Sequence, residues 1–321
     1  MNIEIVTTSN EKLKETGFGS LMSCNNVLDS IKKMKHNIKL NVCSDEKDLE
    51  KIVKRKPDLV ILAVKYLSFQ NEKDIWLSEY FNKHSINYTA SPKAILDFDS
   101  NKVLAKVHLK NKGIKTANYF TTIPNEYSCE TQLPVKFPLF LKPLDAANGN
   151  GIDDLSFVTN FVEFQNKVLS LHNTYKLPIL AEEYLDGKEF TVAVIRTLDE
   201  TLIISPIEIV PLASSNGLRI LGAKAKAEDT EELKEIINLP MKKKLIELAT
   251  NVFNELNIRD YGRIDIKTNK QGECFFMEVN LVPGMTKGSS YFPKAYEIEK
   301  NLSYDNVVEL MIAKGLNRIP S

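Results

Sequence analysis

The sequence predicts two fold classes in one chain: an α/β part with a doubly wound parallel sheet, followed by an α+β part. Within residues 1–97, strand-like and helix-like segments alternate, as they do when helices cover both faces of a parallel sheet. After residue 97, strand-like segments follow one another through turns, with one helix-like segment among them. That succession is typical of antiparallel strands.

The N-terminal alternation can be followed segment by segment. Strands are predicted at "IEIV", "IKLNV", "DLVILAV" and "INYTA". Helices are predicted between them at "NNVLDSIKKM", "DEKDLEKIVKR" and "DIWLSEYFNKH". The apolar run Leu59–Val64 indicates a buried strand, because strands covered on both faces lose their polar alternation.

The second part begins after a break at "TASPKAILDFDSNK". Ser100 is the predicted N-cap of the helix "NKVLAKVHLKNK", and Gly113 is its predicted stop. Residues 212–230 lack periodicity and predict a long mobile loop, a kind of segment that is usually functional or disordered. Later helices are predicted at about 241–256 and near 303–314.

The composition is that of an ordinary globular protein. Of 321 residues, 43% are hydrophobic, and Lys+Arg and Asp+Glu both number 42. This balance favours neither nucleic acid nor an anionic membrane as a partner, so any bound anion needs a local site. The four cysteines lie far apart, no signal peptide is recognisable, and the longest apolar run is too short to span a bilayer. We therefore expect a cytoplasmic protein with reduced thiols.

The stretch "GRIDIKTNKQGECFFMEVNLVPGM" predicts two strands around a turn. If residues 271–272 are the centre of the turn, Asp265 lies opposite Glu278, and Arg263 lies opposite Asn280. All four polar side chains then share one face of the hairpin. The apolar layer on the other face is predicted to contain Ile264, Ile266, Met277 and Val279.

Directly opposed carboxylates destabilise a strand pair unless a proton, a cation or full solvation offsets their repulsion. Two carboxylates and an amide oxygen suit Mg²⁺, which keeps its other positions for water and phosphate. The alternative is an amphipathic hairpin whose polar face meets water. The residue types favour the metal site, because an exposed face usually mixes Lys and Thr with its acids. The Pro-Gly that follows also suggests a fixed turn beside the cluster.

Two further segments carry groups that suit a nucleotide. Lys142 ends an apolar strand, and the following loop contains Gly149 and Gly151, whose small size lets backbone N–H groups approach phosphate oxygens. The segment Leu180–Phe190 joins two strands through acids and a backbone link. It can offer an acceptor to an adenine amine, a backbone N–H to a ring nitrogen, and Glu189 to ribose hydroxyls. Taken alone, each segment is also explained by a charged surface turn.

Taken in order, these segments resemble the ATP-grasp ligases, and in particular the D-alanine–D-alanine ligases. The resemblance rests on "SNKVLAK", "FLKP", "AEEYLDGKEF", "GRIDI" and "MEVNLVPGMT", and it covers most of the chain. It implies an ATP-grasp fold with a substrate domain at 1–97, a central subdomain at 98–183 and a metal-binding C-terminal subdomain at 184–321. It also implies ATP-dependent joining of a small carboxylate or amino acid to an amine through an acyl phosphate. Related ligases are often dimers, so a homodimer is expected by analogy.

The same resemblance implies a role for each matched residue. The ATP phosphates are expected on Lys102, Lys142, Asn148 and Gly149. Adenine and ribose are expected to contact Glu182, Glu183, Tyr184, Leu185 and Glu189. Two Mg²⁺, for which Mn²⁺ can substitute, are expected on Asp265, Glu278 and Asn280. The expected catalytic groups are Arg263, the Gly284 N–H and the loop residue Lys224. A substrate carboxylate is expected on Ser289 or Ser290.

The amino-acid side of the sequence departs from this family. Phe18 stands where the family has the Glu that grips the amino group of the first D-alanine, and Glu11 and Glu15 are the nearby substitutes. The family's His-Gly stretch after the third strand is replaced by "VKYLSFQNEKD". We therefore expect a ligase with an altered acyl donor. The alternatives are a non-catalytic nucleotide-binding module on the same fold and an ATP-grasp enzyme that uses another nucleophile, such as a thiol.

Overall fold

The computed structural model describes residues 1–68, 73–144, 149–213, 217, 219–222, 228 and 230–318. Within these ranges the strands are β1 (Asn2–Thr8), β2 (Asn37–Cys43), β3 (Leu59–Leu62), β4 (Tyr66–Leu67), β5 (Ile75–Trp76), β6 (Tyr119–Thr122), β7 (Leu139–Pro143), β8 (Phe157–Val158), β9 (Ile179–Glu183), β10 (Glu189–Arg196), β11 (Leu202–Val210), β12 (Glu232–Glu235), β13 (Tyr261–Thr268) and β14 (Cys274–Asn280). The helices are α1 (Glu11–Glu15), α2 (Leu21–Lys33), α3 (Glu46–Arg55), α4 (Leu77–Lys83), α5 (Lys93–Ser100), α6 (Lys102–Asn111), α7 (Phe161–Tyr175), α8 (Leu239–Glu255), α9 (Tyr291–Lys300) and α10 (Tyr304–Asn317). None of these described helices combines the length and apolar character needed to cross a bilayer.

The N-terminal part contains a three-stranded parallel sheet in the order β2–β1–β3. On one face, Ile5 and Ile61 belong to a buried cluster that includes Val27 of α2. On the other face, Val60 and Leu62 belong to a second cluster with residues of α3 and α4. Helices therefore cover both faces of the sheet, which confirms the predicted doubly wound parallel arrangement.

Two antiparallel sheets follow in the chain. The first has the order β6–β9–β7–β8, and α7 packs against it through Phe164 and Val168. The second has the order β12–β11–β10–β13–β14, and α8 and α9 pack against β10 and β11. Every strand pair in both sheets is antiparallel, as the sequence predicts. The division into domains at 1–97, 98–183 and 184–321 stays a prediction.

The predicted register of the β13–β14 hairpin is confirmed at its polar end. Asp265 pairs with Glu278, and Arg263 pairs with Asn280. Ile264 is fully buried on the opposite face of the hairpin. The hairpin therefore presents one polar face and one core face, as its alternating sequence requires.

A β-bulge ends this register beyond Asp265. Ile266 pairs with Phe276, so Met277 is the extra residue on β14. The prediction that Met277 joins the apolar layer was therefore wrong. Phe276 takes that place with 0% exposure, while the half-buried Met277 lines a cavity beside Glu278.

The turn of the hairpin also differs from the prediction. The Gly272 N–H donates to the Asn269 carbonyl at 3.0 Å, so residues 270–271 are the centre of the turn. Gly272 then adopts a φ of 72°, a left-handed conformation that glycine accepts without steric cost. The shifted turn and the bulge together account for the altered pairing.

The start of α6 requires a further correction. The segment predicted as a break forms α5, and Ser100 is the last residue of that helix. The N-cap of α6 is Asn101, whose side chain accepts from the Leu104 N–H at 3.0 Å. Gly113 follows α6 with a φ of 77°, which confirms it as the stop. Residues 75–76 belong to β5 rather than to the predicted helix, and α1, α9 and β12 were not predicted.

An arginine connects the turn between α8 and β13 to the segment after α4. Arg259 donates to the carbonyl oxygens of Ala90 at 2.6 Å and Tyr88 at 2.7 Å. Its guanidinium carbon lies 4.4 Å from the centre of the Tyr88 ring. Arg318 donates to the same Tyr88 carbonyl at 2.8 Å and to both oxygens of Asp260. These contacts fix the N-terminal part against the five-stranded sheet.

Replacing Arg259 with alanine is expected to lower the free energy of unfolding by about 3 kcal/mol. It removes two charge-assisted hydrogen bonds and leaves the Ala90 carbonyl without this donor, while the Tyr88 carbonyl keeps its bond from Arg318. Urea denaturation of the variant and the wild-type protein measures the loss. The exposed cation Lys110, changed to alanine, is the control and should change stability by less than about 0.5 kcal/mol. Equal effects of the two substitutions would contradict a role for Arg259 in fixing the N-terminal part.

Candidate active site

A cavity of about 100 Å³ lies between the four-stranded and five-stranded sheets. Its walls come from β7 and β9 on one side and from β13 and β14 on the other, with the link Glu183–Glu189 between them. The predicted site residues that line it are Lys102, Lys142, Gly149, Glu182, Glu183, Tyr184, Leu185, Glu189, Asp265 and Glu278. The structure therefore brings the predicted nucleotide segments and the hairpin carboxylates to one place.

Apolar residues that the sequence analysis did not select complete the walls. They include Phe140, Ile152, Ile220, Leu221 and Met277. Phe140 stands two residues before Lys142 on β7, and the period of a strand places such residues on one face. That spacing was a usable signal for Phe140. Met277 gave no such signal, because the bulge that turns it toward the cavity is a feature of strand pairing.

Two lysines enclose a buried glutamate at the wall of the cavity. Glu182 Oε1 lies 2.7 Å from Lys106 Nζ, and Glu182 Oε2 lies 2.6 Å from Lys142 Nζ. Lys106 is 0% exposed, Glu182 is 1% exposed and Lys142 is 6% exposed. Lys106 was missed, although it stands four residues after Lys102, a spacing that places both on one face of α6.

The charges of this cluster depend on one another. Burial alone would raise the pKa of Glu182, but attraction to Lys106 and Lys142 outweighs it and lowers the pKa to about 2. Burial lowers the pKa of Lys142 in turn, but Glu182 and Glu278 outweigh that effect and raise it. Glu182 is therefore a stable anion, and both of its oxygens already face an ammonium group.

Neighbouring donors and cations offset the negative charges of the hairpin carboxylates Asp265 and Glu278. Arg263 donates to Asp265 through Nε at 3.0 Å and Nη2 at 2.9 Å. Thr191 Oγ1 donates to Asp265 Oδ1 at 2.7 Å, and the Asn280 amide reaches Oδ2 at 3.3 Å. Burial lowers the pKa of Arg263, but its pairing with Asp265 outweighs that effect and raises the pKa. Across the strand pair, Glu278 lies 3.7 Å from Lys102 Nζ.

The oxygen atoms on this face suit a hard divalent cation. Asp265 and Glu278 are directly opposed and both line the cavity, and Asn280 supplies an amide on the next rung. Carboxylate and amide oxygens are the ligands that Mg²⁺ prefers in proteins. In the described residues, no group of three or more His, Cys, Asp or Glu side chains is placed to hold a metal. If a divalent cation binds here, two carboxylates and an amide would form only part of its ligand set and would leave coordination positions for water and phosphate.

Glu183 and Glu189 at the link between the sheets have different partners. Glu183 accepts from the Asn118 backbone N–H and side-chain amide, both at 2.9 Å. Glu189 lies 3.5 Å from Lys267 Nζ, which also lies 5.6 Å from the Tyr184 ring centre. Glu183 is thus fixed by a neighbouring segment, while Glu189 lies on the cavity wall with a lysine beside it.

Gly284 and Ser290 lie together at the end of the segment after β14. A Cβ atom on Gly284 would lie 2.9 Å from Ser290 Oγ, so a larger residue here would displace the Ser290 side chain. Ser290 Oγ accepts from the Thr286 N–H at 2.8 Å, while Ser289 makes a longer backbone bond of 3.4 Å to the same residue. The Met285 N–H donates to the Phe18 carbonyl at 3.0 Å, which brings the N-terminal part next to Gly284.

Phe18 is fully buried, and its backbone bridges two segments. Its N–H donates to the Ala63 carbonyl at 2.9 Å, and its carbonyl accepts from Met285. Glu11, one of the predicted substitutes for the missing acid, pairs with Lys14 at 2.6 Å and is 78% exposed. The side chain of Glu15 lies outside the described residues, as do the predicted site residues Asn148 and Lys224.

Comparison with known proteins agrees with this geometry. A family model described as the D-ala D-ala ligase C-terminus matches residues 108–313. A D-alanine–D-alanine ligase of Aquifex aeolicus is 27% identical over 262 residues, which cover 82% of this chain and 84% of that protein. A D-alanine–D-alanine ligase B of Clostridium perfringens is 24% identical over 301 residues, 93% of this chain and 94% of that protein.

Solved structures share the arrangement of elements. A Bacillus anthracis D-alanine–D-alanine ligase complexed with ATP has a TM-score of 0.76 at 21% identity, over 99% of this chain and 98% of that chain. The VanG D-Ala:D-Ser ligase of Enterococcus faecalis has a TM-score of 0.74 at 20% identity, over 98% and 99%. The fold is therefore the ATP-grasp fold. Since the family model covers more than half of the sequence, the chain belongs to the family of the D-ala D-ala ligase C-terminus.

Glu182→Gln is expected to lower the free energy of unfolding by about 3 kcal/mol or more at pH 7, because it leaves two buried lysines without their anion. The pKa of Glu182 is lowered from its usual 4.5 to about 2, so its contribution is complete above pH 4.5 and disappears as the pH falls toward 2. The difference between the wild-type protein and the variant should therefore narrow at pH 3. Urea denaturation at pH 7 and pH 3 measures both differences.

The control for removing one carboxylate is Glu130→Gln, at an exposed glutamate for which the described structure contains no ion pair. A difference between wild type and Glu182→Gln that is as large at pH 3 as at pH 7 would contradict the assignment of Glu182 as a buried anion.

Proposed function

We propose that this protein is an ATP-dependent ligase that joins a carboxylate to an amine through an acyl-phosphate intermediate. The observation that carries the proposal is the cavity lined by Lys142 of one sheet, Lys102 of α6 and the opposed carboxylates Asp265 and Glu278 of the other sheet. Phosphoryl transfer requires cationic groups for the phosphates and oxygen ligands for a divalent cation. The names of the relatives at 24% and 27% identity, D-alanine–D-alanine ligases, support the same chemistry.

In this proposal ATP occupies the cavity. Lys102 and Lys142 bind its phosphates, with the backbone around Gly149. The link from Tyr184 to Leu185 contacts adenine, and Glu189 binds the ribose hydroxyls. Contact between the adenine amine and Glu182 or Glu183 is less favoured by the geometry, because Glu182 is already ion-paired with two lysines and Glu183 already accepts from Asn118.

Asp265, Glu278 and Asn280 hold two Mg²⁺ in this proposal, and Mn²⁺ has the same ligand preference for oxygen. The bound cations would offset negative charge on the phosphate oxygens during transfer. Thr191 and Arg263 keep Asp265 in place through hydrogen bonds at 2.7 to 3.0 Å. Metal ligands held in this manner need little rearrangement when the site is filled.

Arg263 and the Gly284 N–H stabilise the oxyanion that forms when the amine attacks the acyl phosphate. Arg263 is held by Asp265, and its guanidinium carbon lies 5.4 Å from the Tyr291 ring centre, so its orientation is set before the reaction. Ser290 is the better candidate than Ser289 for the substrate carboxylate. Its oxygen accepts from the Thr286 N–H, which leaves its own O–H available to donate.

The loop at residues 212–230 closes the cavity during the reaction in this proposal. Ile220 and Leu221 line the cavity, which supports that role. A closed loop excludes water that would otherwise hydrolyse the acyl phosphate, and it would bring Lys224 to the terminal phosphate.

In this proposal the acyl donor is not simply D-alanine, and the enzyme activates another carboxylate. The position of the family's amino-binding Glu holds the buried Phe18, and the exposed Glu11 is already paired with Lys14. Lys65 belongs to "VKYLSFQNEKD", the stretch that replaces the family's His-Gly segment. It is already paired with Asp99 at 2.9 Å, and Asp99 accepts from the Leu281 N–H at 2.7 Å. The buried Phe18 also favours a second candidate, a non-catalytic ATP-binding module.

Arg263 favours the ligase over that module, since binding alone does not need an oxyanion donor. The free cysteines and the use of ATP support a cytoplasmic location. The expected homodimer stays a prediction.

Asp265→Asn and Glu278→Gln are expected to reduce turnover by at least about 100-fold, because each removes a carboxylate from the cation site. ADP release, coupled to mass detection of the ligated product, measures turnover. Glu273→Gln, at the far end of the same hairpin, is the matched control and should keep activity within about twofold. A ligase activity that survives both site substitutions would show that the metal assignment is wrong.

An ADP-release screen over D- and L-amino acids and small carboxylates tests the donor. The wild-type protein is expected to release ADP faster with another acid in the set than with D-alanine alone, because the buried Phe18 stands where the family's amino-binding Glu is expected. Phosphate release with D-alanine alone, at a rate ordinary for such ligases, would refute the altered donor. ATP binding without turnover on any acid would favour the non-catalytic module.

A further inference from the structure

Lys106 lies behind the wall of the cavity rather than in it. Lys142 and Glu182 line the cavity, and Lys106 is absent from its lining although its Nζ lies 2.7 Å from Glu182 Oε1. Its side chain is 0% exposed. Lys106 therefore does not contact a group bound in the cavity, and its closest connection to the wall is Glu182.

The charge of the cluster shows what Lys106 changes. Lys142 and Glu182 alone would form a neutral pair, in which the carboxylate cancels most of the attraction of the ammonium for a phosphate. Burial lowers the pKa of Lys106, and its attraction to Glu182 opposes that effect; with Lys106 protonated on the second oxygen, the three groups carry a net charge of +1. The low pKa of Glu182, about 2, is consistent with a carboxylate held by two cations.

The same contact fixes geometry. A carboxylate with one partner can rotate or move toward it, while Glu182 has an ammonium on each oxygen, at 2.7 and 2.6 Å. The Lys142 ammonium is thereby held at one place on the wall. A donor held in place before its ligand arrives loses less conformational entropy on binding.

We propose that Lys106 is a positioning residue for ATP: by pairing with Glu182, it leaves Lys142 with uncompensated positive charge at a fixed place for the phosphates. This inference rests on the proposed binding of ATP in the cavity. It predicts that Lys106 affects the phosphate part of the nucleotide and leaves recognition of the nucleoside unchanged.

The first test compares ATP with adenosine on the Lys106→Met variant, which removes the charge and keeps a similar length. Calorimetric titration with Mg²⁺ present is expected to show ATP affinity reduced at least about tenfold, which corresponds to about 1.4 kcal/mol. Adenosine affinity should stay within about twofold of the wild-type value. The matched control is Lys110→Met, an exposed lysine one turn further along α6. A merely structural role for Lys106 would weaken adenosine and ATP together.

The second test restores the charge balance. In the double variant Lys106→Met with Glu182→Gln, the cluster again carries +1, now on Lys142 alone. ATP affinity is expected to return to within about threefold of the wild-type value. This variant contains no unpaired carboxylate, although Lys142 loses its anion. Circular dichroism and thermal denaturation show which of the two variants folds, and either folded variant carries the test.

The outcomes separate the two proposals. If the wild-type protein binds ATP and the Lys106→Met variant binds it with the same affinity, the role of Lys106 is overturned. The proposed function is then unaffected. A folded double variant that still binds ATP more than tenfold weaker also overturns that role. Failure of the wild-type protein to bind ATP overturns the proposed function and this inference with it.

Discussion

Two carboxylates of like charge, Asp265 and Glu278, face each other across neighbouring strands, and much of the surrounding structure serves to offset their repulsion. Directly opposed acids are unfavourable in a strand pair, so each needs its own compensation. Asp265 receives it from Arg263 and Thr191, and Glu278 has Lys102 at 3.7 Å. Lys102 comes from α6 and Thr191 from β10, so this one requirement ties a helix and a second strand to the hairpin.

On the opposite wall of the cavity, the buried charges that need compensation are mostly positive. There two lysines share the single carboxylate of Glu182, and the cluster is almost completely buried. Buried ions are costly unless they are paired, and this arrangement pairs all three while keeping one positive charge in excess. The cavity thus has the opposed acids Asp265 and Glu278 on one side and Lys142, paired with Glu182, on the other. In the proposed function, the metal ions of a bound nucleotide would lie near the acids and its phosphates near Lys102 and Lys142.

The sequence predicted those parts of the fold and site that depend on local pattern. Alternation along β13 and β14 gave the pairing of Asp265 with Glu278, and strand–helix alternation gave the parallel sheet. It missed the parts that depend on contacts between distant segments. The partner of Lys106 lies 76 positions further along the chain, and no local pattern connects them. The bulge at Met277 also depends on contacts between distant segments. The Phe276 N–H donates to the Lys115 carbonyl at 2.9 Å, and the Phe276 side chain is buried in the core. The resemblance to a family supplied the roles of residues whose local surroundings alone are ambiguous.

The bulge on β14 divides the hairpin into two halves that differ in strand register. On one side, pairing is fixed by the rungs that contain Asp265 and Arg263. On the other, pairing is fixed by Phe276, which the segment before β6 also holds. A change in length near the turn at residues 269–273 can then be absorbed at the bulge, without passing a shift of register to the acids. That end of the hairpin is accordingly a better place for an inserted peptide, such as a tag or a reporter loop, than the end that carries the acids. The insertion must keep the bond of 2.9 Å from the Lys270 N–H to Asp186, which lies in the link beside the cavity.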